Sequence, residues 1–230
     1  MAYQNKNLEY IDAEAYDRRS ENSVLEKYVL DLWQPFLKNK IGQLSNGKIV
    51  ADLGCGTCEY IQIAKSAEKI YAIDISEPML KICREKLTDF SQAKIINASV
   101  LDSDLPIADL IITIGIWEYI NPIELLKKIK TITRSGSRVI AVFPNVYNEI
   151  NLVRGTFRIK QVGLRPGFMK KIFKSDFNLI ESASFGMVGW FPKRLQFLVL
   201  PLWKLGDFIW RPFQNFIPLG INVYYLFERR

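Results

Sequence analysis

Two carboxylates and two glycines stand at spacings that can do chemistry. In Val50-Ala51-Asp52-Leu53-Gly54-Cys55-Gly56-Thr57, an apolar, β-prone run over 48–53 ends in a Gly-x-Gly turn. Asp74 lies at the end of the next apolar run, 69–75, twenty residues beyond Gly54. Glycines permit positive φ and let a ligand come close to the backbone. A helix-like segment over 58–66 follows, and a strand–turn–helix of this kind aims free N–H groups and the positive end of a helix dipole at a bound group. A carboxylate closing the second strand is placed to accept from two ribose hydroxyls. Further along, Ile114-Gly115-Ile116-Trp117-Glu118-Tyr119-Ile120 ends a strongly apolar run. Ligands of open α/β sheets sit at strand carboxyl ends, so Gly115, Glu118 and Tyr119 belong to the same candidate site.

Two nucleotide-binding patterns do not fit. Glu59 stands where the dinucleotide fingerprint G-x-G-x-x-G needs its third glycine, and no Gly-Lys-Ser/Thr follows to make a Walker loop. The residues instead resemble the class I S-adenosylmethionine-dependent methyltransferases of the small-molecule or lipid type, whose first motif reads much like 50–57. The resemblance covers 47–145 well and 175–186 and 221–229 loosely. It implies that Gly54, Cys55 and Gly56 bring backbone to the methionine part of S-adenosylmethionine, and that Asp52 orients its amino group. Asp74 would hold the ribose, and Ile75 and Met79 would sandwich the adenine. Family members often carry an acid after the third strand. Here Ser99 and Val100 take that place, with Asp102 the alternative. Gly115 would face the donor methyl. Glu118 matches the family's glutamate and Tyr119 replaces a histidine common in relatives, so either could take a proton from an acceptor. A protein base is not required, since aligning an activated donor with its acceptor supplies much of the rate. Pro144-Asn145 resembles the "VPN" ending of the fifth strand in small-molecule enzymes, and Asn145 would either bond the acceptor or cap the next helix.

Composition sets the frame for these groups. The 230 residues are 49% hydrophobic and 13% aromatic, enough for a large core. Three cysteines, an odd number, argue against a disulfide framework, and the Cys55-x-x-Cys58 pair has no second Cys or His cluster to complete a metal site. No metal is expected. Histidine is absent, so any proton transfer uses a carboxylate, Tyr, Lys, Cys or water. The polar start lacks a signal-peptide pattern, and the uncharged apolar stretch 195–203 near the C-terminus is too short to span a bilayer. A cytoplasmic location follows as the expectation, with peripheral attachment at the inner face of a membrane as its variant. Charge is uneven: 151–230 holds 13 Lys/Arg against 4 Asp/Glu, and 150–175 holds seven basic residues (Arg154, Arg158, Lys160, Arg165, Lys170, Lys171, Lys174) and no acid. An anionic partner or a merely solvated basic face both account for this.

Alternating strands and helices imply a doubly wound, mostly parallel, seven-stranded α/β sheet whose last strand is antiparallel. Residues 1–46 read as an arm, with Tyr10, Tyr16 and Arg18 as lid groups, and a cap helix over 21–40 that Pro35 kinks or weakens. Strands are expected at 48–53, 69–75, 93–99, 108–116, 137–143, 177–185 and 221–227, with helices at 77–90 and 122–133. The methyltransferase domain then comprises 47–189 and 221–230, and 190–220 forms an apolar, basic helical insertion. That insertion, with Trp190, Trp203 and Trp210, suits either a membrane surface or a cap packed on this domain or on a second subunit. Methyl transfer to an oxygen or carbon of a small, hydrophobic or lipid-linked acceptor is the expected function. An RNA methyltransferase and a non-catalytic S-adenosylmethionine-binding protein are the alternatives, and a homodimer remains open. The aromatics lie apart from most basic residues, which argues against nucleic acid.

Overall fold

The computed structural model describes residues 12–18, 21, 24–147, 163–186, 195–215, 218 and 220–230. Tyr10, Arg154, Arg158, Lys160 and Trp190 lie outside them. Seven strands, β1 (Ile49–Leu53), β2 (Lys69–Asp74), β3 (Ala93–Asn97), β4 (Leu110–Ile114), β5 (Arg138–Pro144), β6 (Phe177–Phe185) and β7 (Asn222–Arg229), form one sheet. Their order is β3-β2-β1-β4-β5-β7-β6. The first five pair in parallel, and β7 runs antiparallel between β5 and β6. The expected architecture is therefore the observed one.

Parallel strands covered on both faces must be apolar throughout, and the two sides of the sheet divide the core. Val50, Ile70, Ile112 and Ile140 point to one layer, with Leu37 and Ile41 of α2 (Val24–Ser45) and Leu80 of α3 (Glu77–Lys86). Ala51, Leu53, Ile111 and Val139 point to the other, with Leu125 and Ile129 of α4 (Pro122–Thr131) and Phe173 of α5 (Pro166–Phe173). The α2 helix passes through Pro35 without a break and ends five residues beyond its expected limit. Buried Trp33 and Leu37 on either side hold it against the cost of the missing hydrogen bond. The short helix α1 (Ala13–Asp17), capped by the Asp12 carboxylate on the Ala15 N–H, was not foreseen within the arm.

Two expectations fail at one place. No α-helix forms over 58–66. Only a 3-10 turn, Ile61–Ile63, occurs there. Cys58 adopts φ 61°, a left-handed conformation that stops a right-handed helix at its first turn. Cys58 is also joined to Cys83 of α3 by a disulfide with a Cα–Cα distance of 4.9 Å, where three free thiols were expected. Cys55 is the remaining buried thiol, and the three sulfurs lie within 4.8 Å of one another. An odd count forbids complete pairing, but not one bridge between residues that the βα turn brings together. Closing a loop of sequence separation 25 stabilises a chain by about 3 kcal/mol. Cys83→Ser should accordingly lower the thermal midpoint by about 6–12 °C against the oxidised protein, and reduced wild type should match the variant. Equal midpoints, or three titratable thiols in the unreduced, unfolded chain, would contradict the bridge.

Candidate functional site

The parallel register of β1 and β2 pairs Leu53 with Ile73, so the glycine turn leaves β1 beside the end of β2. Gly54 and Cys55 both donate their N–H groups to the Ile73 carbonyl, at 2.8 and 2.9 Å. Gly54 has φ +74°, and a Cβ there would come 2.7 Å from Ile116 Cδ1. Glycine is thus required twice over at this position, by conformation and by space. Gly56 N–H donates to Asp74 Oδ2 at 2.8 Å, and Ser76 N–H donates to Oδ1 at 2.9 Å. The Asp74 carboxylate is therefore oriented by the glycine turn of one strand and the helix entry after another. Each of its oxygens has further acceptor capacity, enough for the two hydroxyls of a ribose. The glycine turn brings no helix dipole of its own, because the helix expected after it is absent.

Around this carboxylate lies a cavity of about 500 Å³. Gly54, Gly56, Asp74, Ile75, Met79, Ser99, Val100 and Gly115, all named as site candidates from the sequence, line it. Asp102, the alternative adenine contact, does not. Ile75 is 57% exposed, an apolar side chain presented to whatever enters. A second chamber of about 220 Å³ shares Tyr16, Gly54, Gly56, Gly115 and Tyr119 with the first. Asp52, Cys55 and Glu118 line it, together with the rings of Trp33, Tyr60 and Phe143. Twelve expected site residues thus converge on one two-chambered cleft at the carboxyl ends of β1, β2 and β4.

Charge in the second chamber is unusual. Asp52 is 3% exposed, and its pKa is pushed up to about 8, first by burial and then by the charge of Asp74. Burial also raises Asp74, although the N–H groups of Ser76, Gly56 and Ile75 pull it back. The Cys55 thiol is pushed up by burial, then by Asp52 and Asp74, so it stays protonated and is no nucleophile. The Tyr119 phenol is raised by burial, then by Glu118 and Tyr16. It serves as a hydrogen-bond donor at neutral pH, which removes it as a base. A buried carboxyl beside a half-buried one that repels its charge favours a cation near them.

Asn145 is held mainly by the chain itself. Its amide donates to the Pro218 and Gly220 carbonyls at 2.7 and 3.0 Å, and its Oδ1 accepts from Tyr147 N–H at 3.0 Å. It clamps the segment before β7, and the residues that follow Tyr147, where a capped helix was expected, lie outside the described residues. Trp117 is fully buried, donating from its indole to Thr113 Oγ1 at 3.0 Å, and so anchors the turn that carries Glu118. Tyr16 enters the cleft from α1, which is fastened at Asp17: Oδ1 accepts from Thr57 Oγ1 at 2.6 Å and pairs with Lys86. Sequence reasoning missed Ser76, Asn121 and Glu124 at the first chamber. The Asn121-Pro122-x-Glu124 start of α4, an N-cap signature, could have placed the latter two at a strand's carboxyl end. No pattern pointed to Tyr60 or Asn222 in the second chamber.

Residues 51–141 match the protein family described as a methyltransferase domain. The chain is 32% identical over 127 residues to the carboxy-S-adenosyl-L-methionine synthase of Helicobacter pylori (strain G27), which covers 51% of this chain and 53% of that protein. It is 26% identical to the demethylmenaquinone methyltransferase of Lactococcus lactis subsp. lactis (strain IL1403), over 69% of this chain and 64% of that protein. The chain thus spans about half the length of the synthases it matches. Magnesium protoporphyrin IX methyltransferase from Synechocystis PCC 6803, solved with bound S-adenosylhomocysteine, shares the fold with a TM-score of 0.66 at 14% identity, covering 96% of each chain.

Proposed function

We propose that this chain, whose core is a class I, Rossmann-like methyltransferase domain of the family that uses S-adenosylmethionine, moves a methyl group to an oxygen or carbon of a small, hydrophobic or lipid-linked acceptor. The observation that carries the reading is the Asp74 carboxylate, held by Gly56 and Ser76 at the joint of the cleft. On this reading Asp74 accepts from the ribose hydroxyls, and Ile75, Met79, Ser99 and Val100 enclose the adenine. Asp52 faces the amino group, and Gly54, Cys55 and Gly56 give close backbone approach. When bound, S-adenosylmethionine supplies an electrophilic methyl on a sulfonium. Trp33, Tyr60 and Phe143 favour an apolar acceptor body and exclude water. Glu118 is the carboxylate available for an acceptor proton, and Tyr119 donates a hydrogen bond. The apolar cleft also supports the choice over RNA, whose bases need exposed aromatics among basic residues.

Incubation with methyl-labelled S-adenosylmethionine and fractionated lipid, RNA and small-molecule extracts tests this. Label should enter the lipid or apolar small-molecule pool. Label in RNA would overturn the acceptor class, and binding without any labelled product would indicate a sensor.

Asp52 gives the site a pH dependence. Its carboxyl is protonated in the free protein below about 8, whereas a neighbouring ammonium needs it ionised. Binding below that pH must expel a proton, so affinity for S-adenosylhomocysteine should rise with pH, by up to about tenfold per unit between pH 6 and 8. Titration calorimetry in buffers of different ionisation enthalpy measures the released proton. Asp52→Asn should lose both the slope and the release, and a slope unchanged in that variant would assign it elsewhere.

A further inference from the structure

One helix is built the wrong way round for a protein surface in water. Helix α6 (Gln196–Trp210) turns Gln196 and Asp207 inward. Gln196 Oε1 accepts from Leu25 N–H at 3.2 Å, the Asp207 carboxylate accepts from the Tyr28 hydroxyl, and buried Trp203 stacks on Tyr28 with ring centroids 6.3 Å apart. Its outer face carries Phe197, Leu198, Leu202, Leu205, Phe208 and Ile209, which are 54–74% exposed. At 100° per residue these side chains fill one continuous arc. Exposed Lys204 and Arg211, seven residues apart, border one edge of that arc. A patch of this extent on a water-facing helix marks a contact.

We propose that α6 docks this protein on an anionic lipid surface, lying in the interface with its outer arc among the acyl chains. Three features select this occupant. The 15-residue helix is about 22 Å long, short of the roughly 30 Å hydrocarbon core, and among the described residues no helix is long and apolar enough to cross a membrane. The basic border of Lys204 and Arg211 complements anionic headgroups. A second copy would instead bring two such basic surfaces together, and like charges oppose that contact. The helix also sits at the cleft's end of the sheet: Ser184, near the carboxyl end of β6, donates its N–H to Gln214 just beyond α6 at 3.1 Å. Docking there would set the cleft beside the bilayer, within reach of an apolar acceptor.

Co-sedimentation with mixed phosphatidylglycerol–phosphatidylcholine vesicles tests the proposal. The protein should bind them and leave pure phosphatidylcholine vesicles largely unbound. Leu202→Ser with Phe208→Ser should lower partitioning about tenfold. Lys204→Glu with Arg211→Glu should do the same on anionic vesicles only. Unchanged thermal midpoints and S-adenosylhomocysteine affinity confirm that both variants fold. Failure to bind anionic vesicles, equal binding to neutral ones, or binding that ignores α6 overturns the proposal. So does a dimer in sedimentation velocity that Phe208→Ser dissociates, since a second copy would then cover the face. Vesicle binding needs no methyl donor, so its failure leaves the methyl-transfer reading standing.

Discussion

Asp74→Ala is expected to weaken S-adenosylhomocysteine binding about a thousandfold. A hydrogen bond to a charged acceptor contributes about 1.5–3 kcal/mol, and two ribose hydroxyls on one carboxylate bring the loss to about 4 kcal/mol. The alanine also releases the N–H groups of Gly56 and Ser76, which Asp74 now ties at 2.8 and 2.9 Å, so the turn loses its own anchor. Asp74→Asn separates the two effects. It keeps the shape and one acceptor oxygen but turns the other into a donor that faces an N–H, so an intermediate loss is expected. Titration calorimetry reads the affinities, and a thermal melt confirms that the variants fold. An alanine variant within threefold of wild type would remove the carboxylate from the nucleoside contact.

The second large effect is on folding. Gly54→Val should destabilise the protein by about 4 kcal/mol in urea unfolding. A β-branched residue at φ +74° carries a conformational cost of about 1–2 kcal/mol, and overpacking a buried site adds about 1–3. The obstacle is specific: a Cβ at Gly54 meets Ile116 Cδ1 at 2.7 Å and its Cβ at 3.2 Å. Ile116 is itself buried. Trimming it in the double variant Gly54→Val, Ile116→Ala should relieve the crowding but not the backbone strain. The pair should therefore be about 2 kcal/mol more stable than the sum of the single effects. Strict additivity would mean that the two side chains do not meet.

The parts of the site that follow from strand periodicity and spacing were legible in the sequence. A strand that must end at Gly54 and a neighbour that must end near Asp74 leave few ways to arrange the two residues, and parallel pairing brings them together. Gly115 followed for the same reason, sitting just past the carboxyl end of β4, whereas Ser99 and Val100 came from the family resemblance. What escaped depended on contacts between residues distant in sequence. Cys58 and Cys83 pair only because α3 returns alongside the glycine turn. That bridge, with the left-handed Cys58, replaces a helix that local propensity favoured. Asn145 looked free to bond a ligand, yet its partners are carbonyls at Pro218 and Gly220, more than seventy residues away. Tyr119 is an ordinary phenol in sequence. Its raised pKa comes first from burial, then from the charge of its neighbour Glu118 and from Tyr16, which α1 brings to the cleft. The apolar insertion was visible as a helical stripe, but which side faces outward was settled by Tyr28, Leu25 and Trp203.

One crystal structure tests the central claim most directly: the protein soaked or grown with saturating S-adenosylhomocysteine. The nucleoside should lie over the Gly54–Gly56 bend, with both ribose hydroxyls on Asp74 and the adenine between Ile75 and the Ser99–Val100 turn. A cleft empty at saturation, or a nucleoside bound with its sugar away from Asp74, would contradict the account.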